Sequence, residues 1–556
     1  MHKYVLSNKT FLFLVALIIL LNFTGLFNEI LEPDGTLYAL LAKQMVITGD
    51  WVNLYSFGQD WLDKPHLPFW LAATSFKLLG INSFAYKLPS FICFIVALIY
   101  CYKLTKTIYS IEVAKLSTLI FGTSLHIIIS NFDGKAEVYL TAFILASIYH
   151  MYKAHNQQWF LQILAASFFM ACAFMTKGIF SIITITAGFL FYWLKTKQWQ
   201  QFFNIKWYLF LLLALVFTLP ELYALYTQFD LHPSKIVFGK TNVSGLSFFF
   251  WDSQFGRFFN NGPIKGKGDI AFFIHTYLWV FLPWALLSLV GIYQLFINTK
   301  KNTINPKRWI IGASCLLTFL MFSFSKFQLP HYLIILLPHF SIFTAAYLIE
   351  NASEKALKNI NILQSILFFI LVVAILSLTI VYASINLIAI IALLVLAMLC
   401  IVFIKTPFYL SAIFKKNIVF AILLAVFLNL FFYPSLLTYQ SGTTAAKWLN
   451  SLQIKKPVVV YNTTPHCFDF YYNGTVDYSI INLENNSILA NNDTLLVYTP
   501  IENLNKLNKD VINITGLNSF SNFHISQLNG TFINEKTRKN CLDTFVVVYI
   551  TKKRVN

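Results

Sequence analysis

Thirteen apolar runs constrain this chain more than any other feature. They lie near 11–27, 84–104, 113–130, 137–152, 158–175, 178–194, 207–226, 272–296, 309–325, 331–349, 361–382, 385–404 and 417–434. Each is close to the roughly 17–25 residues an α-helix needs to cross the hydrocarbon core of a bilayer. No soluble fold can hide that much apolar surface. Residues of the set AVILMFWYC make up 57% of the chain and DEKR only 12%, where soluble domains carry about 25% charged residues. The expected class is a polytopic α-helical membrane protein. The first run, FLFLVALIILLNFTGLF, follows Lys3 and Lys9 with no small-residue cleavage site after it, so an uncleaved anchor is expected.

The formal charge of +18 does not point to nucleic acid. The excess is spread in small clusters between the apolar runs. Lysines outnumber arginines 37 to 4, which favours solvated or phosphate-facing ammonium groups over bidentate base readers. The clusters set a topology instead. With the N-terminus inside, Lys103, Lys106, Lys115, Lys153, Lys195, Lys197, Lys206, Lys300, Lys301, Lys307, Arg308, Lys355, Lys358, Lys405, Lys415 and Lys416 fall in cytoplasmic connections, as the positive-inside bias demands. Two long connections, about 28–83 and 227–270, then lie outside, and an odd number of spans sends the C-terminus outside as well. The expected location is the plasma (inner) membrane.

The composition changes at about 441. The tail holds 18 asparagines and short apolar runs such as VVVY (458–461), TLLVY (494–498) and TFVVVYI (544–550). These read as strands of a small extracytoplasmic α/β domain over 441–556, following a transmembrane domain over 1–440. Cys93, Cys101, Cys172, Cys315 and Cys400 sit in apolar runs as small core residues. Only Cys467 and Cys541 lie in the polar region, and no metal-binding spacing occurs among the seven.

Polar residues gather at the outer membrane edge. The first outer loop contains Glu29, Glu32, Asp34, Asp50, Asp60 and Asp63 in a chain with 23 acids. Two amphipathic segments within it, 36–48 and 67–79, suit the membrane interface. Asp34 and Asp50 also read simply as helix caps. The same face receives Asp133, Lys135 and Glu137 after the third span, Lys177 after the fifth, and Lys326, His331 and Tyr332 after the ninth. One ionisable group at a helix end only snorkels, but two carboxylate sites and Lys64, Lys135, Lys177 and Lys326 on one face are costly unless used. Carboxylates beside ammonium groups suit displacement of a phosphate: a carboxylate takes the proton of an attacking hydroxyl while lysines hold the departing anion.

In order along the chain stand PDGTLYALLAKQM, GDW, LDKPHLPFWLAATSFKLLG, KLPS, AEVYLT, MTKG, FLPW and SKFQLPHY. Together they resemble the dolichyl-phosphate-mannose-protein mannosyltransferase-like superfamily, with bacterial aminoarabinose (lipid A) transferases the closest likeness. The resemblance implies a C-type glycosyltransferase fold and a polyprenyl-phosphate-linked sugar donor used on the outer side of the membrane. Carried over position by position, Asp34 matches the first-loop catalytic carboxylate and Glu137 the second-loop acid. Asp63–Lys64 matches an acid–Lys step in which the Lys contacts the donor phosphate. Lys177 and Tyr332 match further polar positions, and with Tyr38 and Lys326 they are the further candidates for donor-phosphate or substrate binding. A divalent metal is left open, with Asp63 its candidate ligand. The chain departs from the pattern at Gly35, where a Glu is usual, at Leu37, where an Arg is usual, and at His66, where a second Pro is usual.

The expected reaction is an inverting displacement. The acceptor hydroxyl attacks the anomeric carbon, Asp34 serves as base, Glu137 orients the acceptor or donor sugar or serves as an alternative base, and the polyprenyl phosphate leaves against Lys64. The acceptor is lipid A or another lipid or glycan of the cell envelope, with a protein hydroxyl as the alternative. A secondary transporter is the rival from another class, although transporters place their ionisable groups near the midplane and here they stand at one edge.

Overall fold

The computed structural model describes residues 6–553, except 157–158, 302, most of 384–405, 480–482, 484–493 and 509. The expected helices are there. Eight helices are long and apolar enough to cross a membrane, and two bent helix pairs bring the number to as many as ten. Two more expected spans, Ala136–Asn156 and Ser181–Lys195, are helices packed among the others. The second is short because it has only 15 residues. The expected span at 385–404 lies largely outside the described residues.

The order begins with α1 (Asn8–Phe23), then α2 (Asp34–Thr48) and α3 (Leu67–Leu79), which are the two amphipathic segments of the long connection over 28–83. Between them Tyr55–Ser56 and Gln59–Asp60 form a small antiparallel hairpin, β1–β2. Next come α4 (Ser83–Ile108), α5 (Ile111–Thr123), α6 (Leu125–Asp133), α7 (Ala136–Asn156), α8 (Trp159–Lys177), α9 (Ser181–Lys195) and α10 (Ile205–Leu225).

The expected single span at 113–130 is instead a pair, α5 and α6, bent by 57°. At the bend Ser124 turns extended and its hydroxyl donates to the Phe121 carbonyl at 2.9 Å. A side-chain hydroxyl offers the backbone an alternative to the helical ladder. The run 272–296 likewise folds as α11 (Phe272–Val280) and α12 (Ala285–Lys300), bent by 115°. Pro283 lies at that break; it has no N–H to donate, and its ring clashes with the preceding turn. Each run was expected as one span, with two of the thirteen open to a re-entrant path, and a hydropathy profile does not register where either break falls.

α7 sits at the centre. Every residue from Glu137 to Ile148 is buried, so this helix carries its acid into the interior of the bundle. α13 (Trp309–Phe324), the segment Pro330–Asn351, α14 (Glu354–Ala383) and α15 (Tyr409–Val426) are the remaining long helices of this part among the described residues.

The C-terminal part is a five-stranded sheet, ordered β4–β3–β5–β7–β6. Its strands are β3 (Val458–Val460), β4 (Val476–Asp477), β5 (Leu495–Pro500), β6 (Ile512–Asn522) and β7 (Asp543–Lys552). β4, β3 and β5 run parallel, while β7 is antiparallel to both β5 and β6. The runs VVVY, TLLVY and TFVVVYI are β3, β5 and β7, as their composition indicated. The 11-residue β6 has no such signature: it is an edge strand, largely exposed, and its INITGLNSFSN sequence carries little apolar content.

Buried polar contacts seat this domain on the membrane part. Arg538 is 6% exposed, donates to the backbone carbonyl of Tyr382 at the end of α14, and stacks 4.2 Å from the Tyr382 ring. Lys43 of α2 donates to the carbonyls of Asp469, Phe470 (3.0 Å) and Tyr472 (3.2 Å). The Glu32 carboxylate accepts from the Cys467 N–H at 2.9 Å.

Candidate active site

Six chain segments from distant parts of the sequence meet at one place. They are the start of α2, the turn Leu62–His66, the turn between α6 and α7, the C-terminus of α8, the connection that carries Arg257, and the entry to Pro330–Asn351. Asp34, Tyr38, Asp63, Lys64, Asp133, Lys135, Glu137, Lys177, Arg257, His331 and Tyr332 line one cavity of about 280 Å³ there. Asp34 opens α2 and is exposed, so its carboxylate is accessible from the cavity.

Lys64 precedes Pro65, which holds the preceding residue out of helical geometry. Its ammonium pairs with Asp63 Oδ2 at 3.0 Å. Burial pushes Lys64 down to about 8, against the pull of Asp63. The other oxygen of Asp63, Oδ1, pairs with Arg257. Burial alone would raise the Asp63 carboxyl, but Lys64 and Arg257 outweigh it and hold it below the usual range. Asp63 therefore joins two cations, from loops 194 residues apart, at one wall of the cavity.

Arg257 was not singled out from sequence. One of four arginines in the chain, in the long connection over 227–270, it had a usable signal in its rarity. It stacks 5.4 Å from Phe327, and its Nε is buried without a partner among the described residues.

Glu137 pairs with Lys177 and lies 3.5 Å from His331 Nε2. The Lys177 ammonium sits 4.1 Å from the centre of the Tyr332 ring, within cation–π range. Gly178 after it has φ +91°, and a Cβ there would lie 2.2 Å from the Gln254 amide. The glycine of MTKG thus allows both the turn and the close approach of Gln254, whose amide donates to the Lys177 carbonyl at 3.2 Å.

Asp133 accepts from Lys135 at 2.6 Å. Burial opposes the charge of Lys135, but Asp133 beside it outweighs that and raises the ammonium above its ordinary value. The second oxygen of Asp133, Oδ1, is buried and has no hydrogen-bond partner among the described residues. It lies 2.9 Å from where a Cβ on Gly35 would stand. A Glu at position 35 would collide with it, so the departure at Gly35 and the buried Asp133 are two sides of one arrangement.

Tyr38 packs 5.5 Å from Phe69 and 6.3 Å from Trp61, with its hydroxyl pushed well up by burial and then by Asp34. Lys326 is different. It is exposed and lines no part of the cavity; its backbone N–H donates to the Phe258 carbonyl at 3.0 Å. Sequence also missed His466 of the C-terminal domain. Its ring stacks 4.4 Å from Phe57 at the tip of the hairpin, and burial pushes it down to about 4 although Asp34 pulls the other way.

A second, apolar pocket adjoins the first. Leu140, Phe180, Leu225, Phe248, Phe322 and Ile335 belong to its lining, and it shares Asp63, Lys64, Glu137, Lys177, Arg257 and Tyr332 with the polar cavity. An amphiphile would place its charged head at those shared residues and its chain among the phenylalanines.

The donor set does not fit a divalent metal. Both oxygens of Asp63 are held by cations, and no group of three or more His, Cys, Asp or Glu side chains converges among the described residues.

Comparison with known proteins finds similar sequences and similar folds. The sequence profile of the dolichyl-phosphate-mannose-protein mannosyltransferase family matches residues 63–223. A protein of Aquifex aeolicus is 26% identical over 379 residues, covering 67% of this chain and 70% of its own. The undecaprenyl phosphate-alpha-4-amino-4-deoxy-L-arabinose arabinosyl transferase 2 of Proteus mirabilis is 23% identical over 383 residues, covering 67% of this chain. The match spans 66% of that enzyme, just under two thirds of its length. The crystal structure of ArnT from Cupriavidus metallidurans bound to undecaprenyl phosphate superposes with a TM-score of 0.74 at 15% identity, covering 98% of both chains. Its apo state gives 0.71. The fold of this chain is that of those structures.

Proposed function

We propose that this chain, a relative of the dolichyl-phosphate-mannose-protein mannosyltransferases with the fold of the aminoarabinose transferases, is an inverting membrane glycosyltransferase. It moves a sugar from a polyprenyl-phosphate donor to lipid A or another acceptor of the cell envelope, on the outer face of the inner membrane. The observation that carries this reading is the junction of the two pockets. A paired Lys64 and Arg257 stand where a polar cavity containing Asp34 meets an apolar one.

The donor phosphate docks against Lys64 and Arg257, with the polyprenyl chain in the Phe-lined pocket and the sugar toward Asp34. The acceptor hydroxyl attacks the anomeric carbon and its proton passes to the Asp34 carboxylate. The bond between that carbon and the phosphate oxygen breaks, and the electron pair leaves with the phosphate. Charge on the phosphate grows as the bond breaks, so the two cations act chiefly on the transition state. A phosphate leaves without protonation, and no second acid is needed.

Glu137, fixed by Lys177 and His331, is a positioning carboxylate for a sugar hydroxyl. Asp133, whose Oδ1 is unpartnered among the described residues and lies against Gly35, supplies an acidic wall where the family pattern that the chain resembles has a Glu. That difference leaves the sugar to be identified by experiment. Lipid and glycan fractions from cells with and without the protein, compared by mass spectrometry, test the reading. A hexose or pentose increment on an envelope component that disappears with the protein supports it, and identical profiles under induced expression count against it.

A further inference from the structure

At the opposite end of the bundle from the active site, a groove of about 750 Å³ opens between α1, α4 and α7. Its walls are apolar, including Leu12, Val15, Ile19, Ile95 and Ile99. Leu12 and Ile99 are 64% and 46% exposed, so the groove faces the lipid. Lys103 and Lys106 of α4 and Lys153 of α7 stand at its mouth. Tyr86 of α4 lines the catalytic cavity, and at 1.5 Å per residue Lys106 lies about 30 Å further along that helix, one hydrocarbon thickness away.

We infer that this groove binds one anionic phospholipid of the leaflet opposite the active site. Its acyl chain would lie along Leu12, Ile95 and Ile99, with the phosphate at Lys103, Lys106 and Lys153. Lysines that merely obey the positive-inside bias lie scattered in loops. Here three converge from two helices on the mouth of one apolar groove, and two are held in place by tyrosine faces. Lys103 lies 5.4 Å from the Tyr100 ring and 6.0 Å from that of Tyr149, and Lys153 lies 5.9 Å from Tyr149. Among the described residues, none of the three has a carboxylate within ion-pair distance. Their charge is therefore available to a headgroup, and the same wall that is unfavourable to water accepts a fatty chain.

The test uses the full-length protein purified in detergent, exposed to equal amounts of phosphatidylglycerol and phosphatidylcholine, with bound lipid counted by native mass spectrometry. One phosphatidylglycerol is expected to remain bound in preference to phosphatidylcholine. The variant Lys103→Gln/Lys106→Gln/Lys153→Gln should lose that preference by about tenfold or more, since a lysine near an anionic headgroup contributes roughly fivefold in binding. Ile99→Trp, which fills the groove and keeps the charges, should lower retention of both lipids. Equal retention of the two lipids by the natural protein, or an unchanged preference in the triple variant, would overturn the inference. Neither substitution touches the catalytic cavity, so sugar transfer reports separately on the proposed function.

Discussion

The Glu221 carboxylate accepts from the His66 backbone N–H at 2.8 Å and from His66 Nδ1 at 3.0 Å, while Nε2 donates to the Val52 carbonyl at 3.0 Å. Both side chains are fully buried. Both ring nitrogens thus face oxygen atoms of partners on other segments. The contact ties the Lys64 turn to α10, across 155 residues.

Removing one partner of that pair leaves the other buried and unsatisfied. His66→Ala is expected to cost about 3–5 kcal/mol, and His66→Pro, which restores the family pattern that the chain resembles, to cost a similar amount because the N–H is lost as well. Glu221→Gln should be milder. Thermal unfolding of the purified variants, followed by tryptophan fluorescence, measures this. Unchanged midpoints for His66→Ala would show that the pair does not hold the turn.

Lys64→Met keeps the apolar stem and deletes the ammonium. It should lower kcat by more than it raises KM for the donor, and Arg257→Met should do the same. The double variant should be little worse than either single one, because Asp63 joins the two groups into one unit. Initial rates over a range of donor concentrations decide it. An unchanged kcat in Lys64→Met would leave Lys64 as an interfacial anchor only.

The low position of Lys64 sets a pH limit. In the donor-free protein its ammonium is present below about 8 and is lost as the pH rises through that value. kcat/KM reports the free enzyme, so it should fall above about pH 8. Lys64→Arg, which stays charged throughout, should lose that alkaline limb while working less well at neutral pH. A limb that persists unaltered in Lys64→Arg would assign it to another group.

Much of this was readable from sequence, for one reason: the chemistry of the outer edge is expensive inside a bilayer, so its residues stand out. Asp34, Asp63, Lys64, Glu137, Lys177 and Tyr332 do come together in one cavity. Lys326 does not, because the same LPHY segment that delivers Tyr332 turns its preceding lysine toward solvent. Arg257 and His466 were hidden by distance along the chain, since only the closed fold brings loop 227–270 and the C-terminal domain to the first outer loop. The bends at Ser124 and Pro283 and the polar strand β6 were hidden by local sequence that looks uniformly apolar or uniformly polar.

Orientation in the membrane is open to labelling. In a background lacking the native cysteines, cysteines at Ser56 and Ser451 should react with an impermeant maleimide in intact spheroplasts. One at Ser353, beside the Arg308–Glu350 pair of the opposite end, should react only after permeabilisation. A reversed pattern would put the active site in the cytoplasm.

The most direct measurement is sugar transfer from a synthetic short-chain polyprenyl-phosphate sugar by purified natural protein and by Asp34→Asn, with donor binding measured in the same preparations. The substitution keeps the size of the side chain and removes its basicity. Transfer is predicted to fall by about two decades or more, on the scale of losing a general base, while donor affinity stays within severalfold. Transfer by Asp34→Asn within severalfold of the natural protein would contradict the assignment of Asp34 as the base and the mechanism built on it.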